Sequence, residues 1–112
     1  MQITVENLPE NKGTLIVIDS ENLDAGNVKA FKDQIAPVLA GFSNVLIDMS
    51  RLGFVDSSGL GALLSCLRTM NNKNGQLKLF AMAKPVQALF ELVRMHRIFS
   101  IYNSREETLA SL

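Results

Sequence analysis

Two short apolar runs, Leu15-Ile16-Val17-Ile18 and Val45-Leu46-Ile47, constrain this chain more than any other feature. Neither alternates apolar with polar residues, so each reads as a strand covered on both faces, the pattern of a parallel sheet flanked by helices. Both are far too short to span a bilayer. Weaker strand patterns surround them. Ile3 and Val5 alternate with Gln2 and Thr4, and Pro9 to Gly13 then marks a turn. Leu77 and Leu79 alternate with Lys78, and Ile98-Phe99-Ser100-Ile101-Tyr102 supplies a last short strand.

Between the strands the spacing becomes helical. Asp24 is a candidate N-cap for a helix whose apolar face carries Val28, Phe31, Ile35, Val38 and Leu39, with Pro37 expected to kink it or end its regular part. Leu60, Leu63, Leu64, Leu67 and Met70 form a second stripe, closed by Asn71-Asn72 and Gly75. Pro85, suited to a first helical turn, precedes a third stripe of Val86, Leu89, Phe90 and Val93. Ser104-Arg105-Glu106-Glu107 has the form of a capping box for a short last helix carrying Leu109 and Leu112. The order β-β-α-β-α-β-α-β-α predicts an α/β fold. Its sheet is mixed, mostly parallel with an N-terminal antiparallel hairpin, and about four helices pack on it.

No repeat, low-complexity tract or linker divides the chain, so residues 1–112 are expected to form a single domain. Eleven basic residues balance eleven acidic ones. That neutrality leaves no basic footprint for nucleic acid or for an anionic membrane. The single cysteine, Cys66, excludes an internal disulfide and reads as a small core residue, and no Cys/His/acid spacing suggests a metal or calls for a cofactor. With no signal-like N-terminus the chain is expected to be cytoplasmic. Phe31, Phe42, Phe80, Phe90 and Phe99 read as packing between helices and sheet, and Met70 and Met82 as core filling. Met95 is placed at an exposed edge. Lys12, Lys29, Lys32, Lys73, Lys78 and Lys84 read as dispersed, solvated surface.

The stretch where chemistry could sit is Val55-Asp56-Ser57-Ser58-Gly59-Leu60-Gly61, which follows a strand and opens a helix, where α/β sheets place function. Asp56 and Ser57 are both good caps. Capping does not account for the glycines, each of which weakens a helix by about 1 kcal/mol relative to alanine. Glycine there bares backbone N–H groups and lets another surface approach. A serine hydroxyl at such an end can also carry a phosphate, because the helix terminus favours negative charge and offers unpaired donors.

Phe54-Val55-Asp56-Ser57-Ser58-Gly59-Leu60-Gly61-Ala62-Leu63 resembles the signature of the STAS family, the anti-sigma factor antagonists of bacteria. Val45-Leu46-Ile47-Asp48-Met49-Ser50 is similar to that family's central strand, and Leu23-Asp24-Ala25-Gly26-Asn27 to its entry into the first helix. Ile98 to Tyr102 with Ser104 and Glu107 is similar to its closing strand and helix. The resemblance implies a non-enzymatic binding protein switched by phosphorylation. Unphosphorylated, it would sequester a partner that is both anti-sigma factor and serine kinase. Phosphorylation of the serine after the aspartate, here Ser57, would end the contact, with Ser58 the weaker acceptor and a serine phosphatase reversing the change. Asp24, Asp56, Ser57, Ser58, Gly59, Leu60 and Gly61 would form the contact surface of a monomer or weak dimer. The resemblance is also compatible with an interaction or scaffold subunit of a signalling or lipid-transport complex. Where the family often has glycine, this chain has Asp19-Ser20-Glu21-Asn22, a more acidic edge.

Enzyme readings fare poorly. Gly59-Leu60-Gly61 lacks the third glycine of a dinucleotide loop, since Leu64 stands there, and no Gly-Lys-Ser/Thr forms a P-loop. Val55 occupies the position where a nucleophile elbow needs glycine before Ser57. His96, the one histidine, reads as a surface loop residue. A receiver-like phosphoacceptor domain would use Asp48 and Lys84-Pro85, but no acid pair follows the first strand. Asp48 is expected instead to cap or orient the loop toward Asp56.

Overall fold

The computed structural model describes residues 1–112. Strands β1 (Ile3–Asn7), β2 (Thr14–Ile18), β4 (Asn44–Asp48), β6 (Gln76–Phe80) and β7 (Ser100–Tyr102) form one sheet in the order β1-β2-β4-β6-β7. β1 runs antiparallel to β2, with Ile3 opposite Ile18, and every other pairing is parallel. Two further strands of two residues each, β3 (Asn22–Leu23) and β5 (Phe54–Val55), pair in parallel as a separate small sheet. The expected α/β order is therefore present, with these two short strands added.

From β2 to β7 each parallel strand is laid beside the one before it, always outward in the same direction. Right-handed crossovers then place every connecting helix on the same face. That face carries α1 (Val28–Gly41), α2 (Ser57–Asn72) and α3 (Lys84–Leu92), whose apolar stripes pack against Ile16, Ile18, Val45, Ile47, Leu77 and Leu79. α4 (Arg105–Ala110) follows the last strand and is bound by no crossover. Leu15, Leu46 and Phe80 on the opposite face pack with Leu8, Tyr102 and Leu109. Both faces of β2 and β4 are thus covered, as their apolar runs predict, but the second cover is a short helix and a turn.

Several local expectations need correction. α1 begins at Val28, with Asn27 in the cap position. Asp24 instead closes a preceding turn, its carboxylate accepting from Gly26 N (2.9 Å) and its carbonyl from Val28 N (2.9 Å). α1 continues through Pro37 to Gly41, because the missing donor of a proline removes only one bond from a helix held by its buried Phe31, Ile35, Val38 and Leu39. The exposed carbonyls beyond it are met by Lys73, whose Nζ donates to Leu39 O (2.8 Å), Phe42 O (3.0 Å) and Ala40 O (3.2 Å). Lys78 is buried in β6, donating to Ser111 Oγ (2.8 Å) and Tyr102 Oη (3.2 Å). Lys78 is therefore not solvated surface, whereas Lys73 stays exposed while it makes its bonds to those carbonyls. Met95 is partly buried against the core, whereas Val93 and Leu112 are exposed.

Other readings hold. Pro85 lies in the first turn of α3, and Val86 and Phe90 are its buried residues, Phe90 meeting Phe99 at 5.6 Å between ring centres. Cys66 is buried in α2, and that burial pushes its thiol up to about 11. Ser104 caps α4, accepting from Glu107 N (3.1 Å), while the Glu107 carboxylate reaches back to Asn103 N (3.2 Å), one residue earlier than in a standard capping box. β7 is shorter than its apolar run, with Ile98 left in the turn before it.

Candidate functional site

The C-terminal ends of β2 and β4 lie at the same end of the sheet, and the chain leaving each is tied to the other by β3 and β5. Asn22 pairs with Phe54 and Leu23 with Val55. Glu21 O accepts from Gly53 N (2.8 Å) and Phe54 N (3.1 Å), and Leu23 O from Asp56 N (3.2 Å). Asp56 therefore emerges from a backbone already held on both sides. Its carboxylate caps α2 by accepting from Gly59 N (2.9 Å) and crosses to the other segment to accept from Ala25 N (3.1 Å). The Gly59 N–H, with Ala25 N–H adding to it, holds this carboxyl below the usual carboxylate range.

Because Asp56 is the cap, the Ser57 hydroxyl has no capping role. Ser57 is the first residue of α2 and is exposed, and Ser58 is half-buried beside it. Gly61 is exposed, and a Cβ on it would meet nothing within 4 Å. Gly59 differs. It is buried, and a Cβ there would stand 2.3 Å from Leu23 O and 2.9 Å from Val55 Cγ1. Leu60 is likewise part of the core. Of the residues that the sequence suggests for a contact surface, Gly59 and Leu60 are therefore buried, the first letting α2 sit against β3 and the second filling the space beneath.

Asp24 stands beside the loop. Its Oδ2 accepts from Asn22 Nδ2 (2.7 Å), while Asn27 Oδ1 accepts from Asp24 N (3.0 Å) and Asn27 Nδ2 donates to Asn22 O (2.8 Å). Asn22 and Asn27 are supports that sequence reasoning missed, since a lone asparagine in a loop carries no periodic signal. Phe54 was also missed as a surface residue. With Val55 buried, alternation along β5 turns Phe54 outward, and it is 56% exposed next to Asp56. Asp48 accepts from Ser50 N (2.9 Å) and so orients its own turn rather than the Asp56 loop. In the acidic edge, Asp19 pairs with Arg51.

No cluster of three or more His, Cys, Asp or Glu side chains is placed to hold a metal ion, and no helix is long and apolar enough to cross a membrane. His96 lies in the turn Met95–Arg97 before β7, at the end of the sheet opposite Ser57, so no serine–histidine pair is assembled. The site offers one exposed hydroxyl on a rigid helix start, among carboxylates.

A mixed five-stranded sheet with three helices on one face, and an exposed serine at the start of a helix capped by Asp56, defines a small α/β domain. Residues 6–108 match the model of the STAS domain, and the chain belongs to that family. It is 27% identical over 114 residues to an anti-sigma F factor antagonist of Paenibacillus polymyxa, covering 100% of this chain and 97% of that protein. Its fold superimposes on an anti-sigma-factor antagonist (STAS) domain protein from Planctomyces limnophilus with a TM-score of 0.86 at 18% identity, covering 97% and 96% of the two chains. The unphosphorylated anti-sigma factor antagonist SpoIIAA gives 0.77 at 20% identity, covering 96% and 93%. SpoIIAA of Bacillus in its phosphorylated form gives 0.72 at 19% identity, covering 98% of each chain.

Proposed function

We propose that this protein is an anti-sigma factor antagonist switched by phosphorylation at Ser57. Unphosphorylated, it binds an anti-sigma factor that is also a serine kinase and so frees sigma factor. Phosphorylated, it is released, and a serine phosphatase resets it. The observation that carries this reading is the exposed Ser57 hydroxyl, which begins a helix whose cap is already supplied by Asp56. The relatives named as anti-sigma factor antagonists support the partner class, and SpoIIAA, known in both unphosphorylated and phosphorylated forms, supports the modification.

The physics of the switch follows from the site. A phosphate brings about −1.5 to −2 charges and three acceptor oxygens. At Ser57 these arrive beside the ionised Asp56 carboxylate, in a surface that also holds Glu21 and Asp24, neither of which has a Lys or Arg partner. The helix N-terminus tolerates the added charge, so the fold survives. A partner fitted to the bare loop and to Gly61 meets a bulky dianion instead. The contact end is acidic before modification, so the complementary surface is basic.

The test is an affinity capture of the anti-sigma factor kinase by unphosphorylated protein, followed by ATP and mass spectrometry of the Ser57 peptide. Release of the kinase with phosphate on Ser57 supports the switch. Binding that persists after full phosphorylation would leave the scaffold reading in its place. Incubation with acetyl phosphate and Mg²⁺ addresses the receiver alternative, and no labelling of Asp48 is expected.

A further inference from the structure

The chain exposes six large apolar side chains, and three of them fall between residues 92 and 98: Leu92 (80% exposed), Val93 (42%) and Ile98 (54%). This segment joins the C-terminal end of α3 to the start of β7, so it lies at the end of the sheet opposite the Asp56–Gly61 loop. It is compact rather than loose. Val93 N donates to Leu89 O (3.1 Å), Arg97 N to Arg94 O (3.2 Å), and Ile98 N and Phe99 N both to Met95 O (3.1 Å). Single exposed apolar residues need no explanation, but three within one short, hydrogen-bonded segment ask for one. Beside Ile98 a cavity of about 280 Å³ opens between the end of α2 and the start of β6, lined by Leu67, Asn71, Gln76 and Ser100 among others.

The charges around the patch are mostly positive. Arg94 and Arg97 are exposed, and neither belongs to any of the chain's ion pairs, which use Lys12, Lys29, Arg51 and Arg105. The one carboxylate nearby in sequence, Glu91, pairs with neither. Arg94 also holds the left-handed conformation that ends α3, with φ +62° and ψ +22°, where glycine is the usual residue. A cation therefore stands, without a partner, at a backbone position that favours a residue with no side chain.

We infer that this end of the molecule is a second docking surface, which receives an acidic peptide segment of a protein partner. Apolar side chains of that segment cover Leu92, Val93 and Ile98, polar ones enter the adjoining cavity among Asn71, Gln76 and Ser100, and its carboxylates pair with Arg94 and Arg97. Charge complementarity selects this occupant. A second copy of the chain packed symmetrically would bring arginine against arginine. Two arginines with no long amphipathic helix are too few for a membrane surface. The surface is independent of Ser57, so it stays available in both states of the proposed switch.

The probe is a synthetic amphipathic peptide of glutamate and leucine at helical spacing, titrated into isotope-labelled full-length protein and followed by NMR. Shifts confined to residues 91–98 and to Gln76 and Ser100 are expected, with affinity at least tenfold weaker in Ile98→Ser and in Arg94→Gly and unchanged in Ser57→Asp. Arg94→Gly separates binding from folding, because glycine suits the positive φ and the melting temperature should hold or rise. Equal binding of a lysine–leucine peptide, or affinity unchanged in both patch variants, would overturn the inference. So would patch-dependent dimerisation in sedimentation, or adsorption to phosphatidylglycerol vesicles with no peptide binding.

Discussion

Gly59 and Gly61 stand two positions apart in one helix and behave oppositely on substitution. A Cβ at Gly59 would press on the Leu23 carbonyl at 2.3 Å, backbone against which nothing flexible can yield. Gly59→Ala should cost about 2–4 kcal/mol, of the order of other overpacking and backbone-strain changes. Gly61→Ala meets open space and should stabilise by about 0.5–1 kcal/mol through helix propensity, while weakening the partner contact. Urea unfolding of the two variants checks the contrast. Asp56 gives a prediction in pH. Its carboxyl is held low mainly by the Gly59 N–H, so its contribution is full above the ordinary aspartate range and is lost as pH falls through the lower folded value. Asp56→Asn keeps an acceptor for Gly59 but loses one for Ala25. The stability gap between wild type and Asp56→Asn should therefore be open at neutral pH and close as the pH drops below about 4, read from denaturation midpoints across that range.

The elements were legible to the extent that they are periodic. The apolar runs of β2 and β4 and the stripes of α1, α2 and α3 named the fold, because a parallel sheet demands those patterns. β3 and β5 escaped notice because two residues carry no period, although they hold the Asp56 loop in place. The site motif was legible as residues but not as roles, since which glycine faces solvent depends on where β3 passes beneath α2. Lys78 was misread for a related reason: in β6 it alternates with Leu77 and Leu79, which predicts an outward side chain but not that α4 would cover it. That buried ammonium has hydroxyl and carbonyl partners and no carboxylate. Replacing such a charge with an apolar side chain is often close to neutral, so Lys78→Met should change stability by less than about 1 kcal/mol. It should also free Tyr102, the only tyrosine, whose phenol is held low by hydrogen bonds from Ser111 and then Lys78. Absorbance at the phenolate band should show the Tyr102 midpoint move up, with faster hydrogen exchange in α4. An unmoved midpoint would remove Lys78 from the anchoring of that helix.

At the scale of the whole molecule, eleven basic residues against eleven acidic ones give a formal charge of zero, so one phosphate moves it to near −2. The core lies away from Ser57, which is exposed, so circular dichroism and melting temperature should change little on phosphorylation while ion-exchange retention shifts clearly. Charge and fold are thereby separable, which is what a binding switch requires. The two ends of the sheet also differ in surface, with the exposed Ser57 at one and the turn bearing Leu92, Val93, Arg94, Arg97 and Ile98 at the other. The central claim rests on the first end and is tested most directly by the affinity of the captured anti-sigma factor kinase for protein stoichiometrically phosphorylated at Ser57, for Ser57→Asp and for Ser57→Ala. The account predicts that Ser57→Ala binds like the unmodified protein, and that phosphorylation weakens binding by at least a hundredfold, with Ser57→Asp in the same direction. Equal affinity across all three would contradict it.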